Sequence, residues 1–159
     1  MNQVIYNTAI VVHIIGITFL AGATIVDFLG FRVLWKSLAQ DRNRSIIILE
    51  TGKLYQRVMG IGMGLIILSG VAMMIYMHGV WGEQLWFRIK FGLLLLVIIN
   101  GLGIRRMAGT KLNKTIYALN PQADTGVAFS TLKRNISIVH IIQFIMLISI
   151  FILSVFKFN

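Results

Sequence analysis

The stretch from Thr8 to Phe28, TAIVVHIIGITFLAGATIVDF, holds one imidazole, one carboxylate near its end and no Lys or Arg. Wound as an α-helix rising about 1.5 Å per residue, it covers roughly 30 Å, the thickness of a bilayer's hydrocarbon core. There every backbone N–H and C=O must be paired inside the segment, and the run is too long and continuous for a barrel strand, so a helix is required. Three further runs have the same character, at about 58–77, 87–104 and 136–156.

Charge orients these spans. Of the 15 Lys and Arg residues, 12 lie in two stretches, Arg32 to Arg57 and Arg105 to Arg134. By the positive-inside tendency, loops 31–57 and 105–134 are cytoplasmic and both termini are outside. The expected fold is therefore all-α: an integral membrane, antiparallel four-helix bundle, N-out/C-out, forming a single transmembrane domain over 1–159 in a bacterial-type inner membrane.

Composition agrees. A chain that is 57% hydrophobic and 13% charged, with mean hydropathy +0.84, is too apolar for a soluble domain or for disorder. A net charge of +10 would suggest nucleic acid in a soluble protein; here the cations flank spans, so membrane lipid is the expected partner and nucleic acid is not. The absence of cysteine removes disulfides, thiolate metal ligands and cysteine nucleophiles. The first basic residue is Arg32, so the opening apolar run lacks the positive start of a signal peptide and reads as a retained span.

Loop one mixes basic residues with the apolar run Ile46 to Leu49, which predicts helical extensions of spans one and two beyond the bilayer. In loop three, Asn120 with Pro121 and the cluster Asp124, Thr125, Gly126 mark turns. The outer loop before span three carries Trp81 and Trp86, expected as an aromatic belt.

Helical spacing assigns inward faces. Span one sets His13, Leu20 and Asp27 in a row beside Gly16, Ala23 and Gly30. Span two offers Gly60, Met63, Ile67, Gly70, Met74 and Met77; span three Lys90, Leu93, Val97 and Asn100; span four His140, Gln143, Leu147 and Ser154. Gly60, Gly62 and Gly64 read as helix-packing positions, and the Gly60/Gly64 spacing suits either internal packing or a homo-oligomer contact. Ser69, Ser137, Ser149 and Ser154 read as packing hydroxyls. Lys90 would cost about 2.5–3.5 kcal/mol at a span centre unless its ammonium snorkels to the headgroups. By depth the polar residues fall at two levels, an outer one with His13, Met73, Met74, Met77, His78, Arg88 and Lys90, and an inner one with Thr24, Asp27, Met63, Asn100, His140 and Gln143.

The run Trp86, Phe87, Arg88, Ile89, Lys90, followed by apolar sequence to Arg105 and Arg106, resembles the third helix of the CopD/HemJ superfamily of small membrane proteins. The run Val11, Val12, His13, Ile14, Ile15, Gly16, with Ala21 and Gly22 after it, is similar to that superfamily's first helix. The HemJ side of the resemblance implies bound haem b and a protoporphyrinogen oxidase-like oxidoreductase; the CopD side implies copper handling. Under the haem reading His13 is an axial ligand, Met74 or Met77 the opposite one, and Arg88 and Lys90 face the propionates, with His140 as a second imidazole. A porphyrin substrate would enter laterally between spans, its carboxylates seeking Arg88 and Lys90. The copper reading uses His13 or the outer cluster Met73, Met74, Met77 and His78, whose thioethers and imidazole suit Cu(I). The plainer alternatives are a packing role for His13 and His140, hydrogen-bonded within or between helices, and apolar filling for the methionines. A third class, a structural subunit without chemistry, stays open.

Overall fold

In the computed structural model, the residues described are 2–38, 42–76, 84–104, 107, 109, 110, 112 and 126–156, and among them the regular structure is entirely helical. Four elements follow in chain order: α1 (Asn2–Leu38), α2 (Arg42–Tyr76), α3 (Leu85–Ile98), which continues as a π-helical segment (Ile99–Ile104), and α4 (Gly126–Val155). The predicted extensions of spans one and two are present. At 37 residues α1 is roughly 55 Å long, nearly twice a bilayer core, and α2 at 35 residues is similar.

Three helices are long and apolar enough to cross a membrane, over Gln3–Leu38, Asn43–Tyr76 and Ser130–Val155. The 14 α-helical residues of α3 span only roughly 21 Å, and the segment reaches span length with its six-residue π continuation. Large apolar side chains stand on the outside, including Ile14, Leu68, Ile75 and Ile145, a distribution that suits hydrocarbon rather than water. Hydroxyls within the apolar runs close onto their own helix. Thr8 donates to the Val4 carbonyl at 2.8 Å, Thr18 to Ile14 at 3.0 Å, Ser149 to Ile145 at 2.9 Å and Ser154 to Ile150 at 2.7 Å. Each thereby removes a polar group that lipid could not satisfy.

The chain divides into two compact units, Met1–Arg88 and Ile89–Phe158. In the first, α1 and α2 run antiparallel and stay in register over most of their length. Tyr6 stacks on Tyr76 with ring centroids 4.9 Å apart, His13 meets Ser69, Thr24 meets Met59, and the Asp27 carboxylate faces Gly52. The closest approach is at Gly16 and Gly62. A Cβ on Gly62 would lie 2.8 Å from the Gly16 carbonyl oxygen and 2.8 Å from the Leu20 nitrogen; one on Gly16 would lie 2.9 Å from the Gly62 carbonyl oxygen. Only glycine permits that backbone-to-backbone contact.

This crossing corrects two expectations for span two. Gly62 is the packing glycine, whereas a Cβ at Gly60 or Gly64 would meet nothing within 4 Å. The buried side of α2 carries Met59, Met63, Ile66 and Ser69, while Gly60, Ile67 and Met74 are exposed. The inward face is thus turned by about one residue from the predicted row, because the glycine that α1 approaches is Gly62. On α1, Leu20 and Ala23 are buried as expected, but the Gly30 position is open.

In the second unit, Val97 and Asn100 on the α3 side and Ile136, His140, Gln143 and Leu147 on α4 are buried, matching the faces predicted for spans three and four. The first turn of α3 departs from expectation: Trp86 is buried, and its indole nitrogen donates to Gln84 Oε1 at 2.5 Å, so it is no exposed interface anchor. Trp81, Pro121 and the 124–125 turn lie outside the described residues.

Candidate functional site

His13 lies one turn before Gly16 on α1, and Ser69 lies two turns after Gly62 on α2. The glycine crossing therefore brings the two helices close enough for short side chains to meet. The His13 Nδ1 and the Ser69 Oγ are 2.8 Å apart. Ser69 Oγ is also 2.5 Å from the Leu65 carbonyl oxygen and 3.1 Å from that of Ile66.

A serine hydroxyl has one proton, and a carbonyl oxygen can only accept. With the Ser69 proton donated to Leu65, the Oγ lone pair accepts from a protonated His13 Nδ1. This assignment satisfies all three groups and places the lone pair of the neutral ring on Nε2. Gly70 leaves room beside the ring, since a Cβ there would stand 3.9 Å from His13 Cε1.

At the next level along the pair, Thr24 is fully buried, its hydroxyl 2.6 Å from the Leu20 carbonyl oxygen and 3.4 Å from the Met59 sulfur. The thioether facing α1 here is Met59, one of the inward methionines. Met74 is 36% exposed and lies on the outward side of α2. Met77 and His78 lie outside the described residues. Arg88 is exposed and Lys90 half-buried in the first turns of α3, the Arg88 amide donating to the Gln84 carbonyl at 3.2 Å.

His140 belongs to the second unit and is 3% exposed. Its Nδ1 is 2.9 Å from the Ile136 carbonyl oxygen, so Nδ1 carries the proton and the neutral ring again has its lone pair on Nε2. One turn further along α4, the buried Gln143 presents Oε1 to Asn100 Nδ2 at 2.7 Å, and the same Asn100 nitrogen is 3.3 Å from the Val139 carbonyl oxygen. Asn100 sits in the π-helical segment, where Gly101 and Gly103 weaken ordinary α winding.

The sequence reading brought His13, His140, Asn100 and Gln143 to buried or half-buried faces, as found, but it treated Ser69 as packing alone. The signal that could have singled out Ser69 is its spacing of seven from Gly62, which puts both on one side of α2. Among the described residues, no group of three or more His, Asp or Glu side chains converges as a metal site. Haem requires fewer protein donors, and an imidazole whose Nδ1 is held by a hydroxyl fits an axial ligand. No protein-family model, curated protein or solved structure matches this chain.

Proposed function

We propose that this chain is a four-span inner-membrane protein, with both termini outside, that binds haem b through His13 and serves as an electron carrier or oxidoreductase. The observation that supports this reading is the His13–Ser69 contact at 2.8 Å. Histidines that ligate iron commonly donate their other ring N–H to a fixed acceptor, which sets the tautomer and raises the basicity of the ligating nitrogen. In this proposal Ser69 is that acceptor and His13 Nε2 is the ligand atom. When bound, haem b supplies one-electron chemistry at its iron.

The remaining roles follow the CopD/HemJ resemblance. Met74 stands on the outward side of α2, away from the face that meets His13, so the second ligand that the resemblance implies would be Met77, and Arg88, in the same unit as His13, would face the propionates. His140 is a second imidazole with the same tautomer. By the same resemblance, a porphyrinogen-type substrate would bring its carboxylates to the basic residues at the start of α3.

The test is spectroscopic. Protein purified from cells supplied with haem precursor is expected to show a Soret band that His13→Ala removes and that Ser69→Ala retains with a shifted reduction potential. A colourless preparation that retains copper, and loses it on replacing Met74 and Met77 by alanine, would replace haem with the copper reading. A preparation holding neither would leave a structural subunit.

A further inference from the structure

Tyr6 on α1 and Tyr76 on α2 close the end of the helix pair opposite the basic segment. Their rings stack with centroids 4.9 Å apart and planes inclined by 28°, so ring carbons of the two approach more closely than the centroids do. The placement is inherited from the rest of the pair. Tyr6 precedes His13 by seven residues and Tyr76 follows Ser69 by seven, so the stacked rings continue the same seam by two helical turns. The Gly16–Gly62 crossing holds that seam in register.

Both rings are half-buried, but the polar groups beside them are exposed. The Tyr76 hydroxyl is directed to Gln3 Oε1, 3.5 Å away, and Gln3 Nε2 donates to Asn7 Oδ1 at 3.1 Å. A small water-soluble oxidant can therefore reach this end of the pair. Phenol is also the side chain through which oxidation can join these two helices covalently, because the chain has no cysteine and so no disulfide. Tyr55, the other tyrosine on α2, lies roughly 30 Å further along the helix and has no share in the stack.

We propose that Tyr6 and Tyr76 are a site of oxidative cross-linking, coupled ring to ring by a peroxide-class oxidant acting in one-electron steps, so that α1 is clamped to α2. Each phenol gives up one electron and its O–H proton. The two phenoxyl radicals pair their spins in a new C–C bond between ring carbons adjacent to the hydroxyl-bearing ones, and the hydrogen on each of those carbons moves to its oxygen, restoring two phenols. One molecule of hydrogen peroxide accepts the two electrons and two protons and leaves as two waters. Rings already in contact couple without a second chain having to arrive, which favours the link within one molecule. The site does not depend on haem or copper.

The experiment treats the full-length protein, one chain per lipid nanodisc, with persulfate photosensitised by a ruthenium tris-bipyridyl complex, a peroxide that withdraws one electron at a time. Mass spectrometry after digestion is expected to find the Tyr6 and Tyr76 peptides joined and two hydrogen atoms lighter than their sum, with a yield independent of protein concentration. Tyrosine consumed without that joined peptide, or joined only between chains with a yield that rises with concentration, would overturn the proposal. These readings are on the wild-type protein, so they do not depend on a variant folding. Tyr6→Phe and Tyr76→Phe keep a stacking ring but lack the O–H, and each is expected to lose the joined peptide and its dityrosine fluorescence, whereas Tyr55→Phe retains both.

Discussion

Gly16 and Gly62 touch backbone to backbone: a methyl group added to either would fall within 3 Å of the other's carbonyl oxygen. Gly62→Ala is therefore expected to force α1 and α2 apart and to cost about 1–3 kcal/mol, the usual penalty of overpacking. Gly60→Ala and Gly64→Ala face open space and should be neutral or stabilising by up to about 1 kcal/mol, as alanine is the better helix former. Unfolding in mixed micelles measures all three, and a Gly62→Ala protein as stable as wild type would rule out the crossing.

Removing the Ser69 hydroxyl takes away the acceptor of His13 Nδ1. In membrane proteins such side-chain bonds between helices average about 0.6 kcal/mol, so Ser69→Ala should fold with little loss. The informative reading is the ¹⁵N spectrum of the His13 ring: a single Nδ1–H form in wild type is expected to become a mixture in the variant. An unchanged ring spectrum would refute the assigned tautomer.

Two methionines on α2 should behave oppositely. Met63 is 6% exposed and Met74 is 36% exposed. Met63→Ala opens a cavity and is expected to destabilise by about 2 kcal/mol or more, whereas Met74→Ala should stay within about 0.5 kcal/mol. Equal effects in thermal unfolding would mean that the α2 face has been placed on the wrong side.

Orientation can be tested without background because the chain contains no cysteine. If both termini are outside, as proposed, an impermeant thiol reagent added to intact spheroplasts should label Gln3→Cys and should not label Lys53→Cys or Lys133→Cys until the membrane is opened. The opposite pattern would invert the topology.

Most of the secondary structure was legible because lipid leaves the backbone one solution for a long apolar run, and the predicted faces of α3 and α4 hold at Val97, Asn100, His140 and Gln143. The α2 face was not. Gly60 and Gly64 share one face of the helix and Gly62, two residues from each, lies on the opposite one, and composition alone cannot say which face a neighbour approaches. That choice is made by Gly16 on another helix. Ser69 is the packing hydroxyl that the sequence suggests; that it packs against His13 was not legible, because this partner lies 56 positions away. The helical extensions at the basic ends of α1 and α2 were legible as well, because hydropathy falls there but helix propensity does not.

The Gly16–Gly62 approach sets the spacing of a helix pair that stays together from Tyr6–Tyr76 to Asp27–Gly52. With backbone against backbone and no side chain to yield, it is the one place on the pair that cannot be repacked by choosing another rotamer. The His13–Ser69 bond on one side of it and the Thr24–Met59 contact on the other therefore depend on the same two hydrogens in place of side chains, and a methyl group there would disturb both at once.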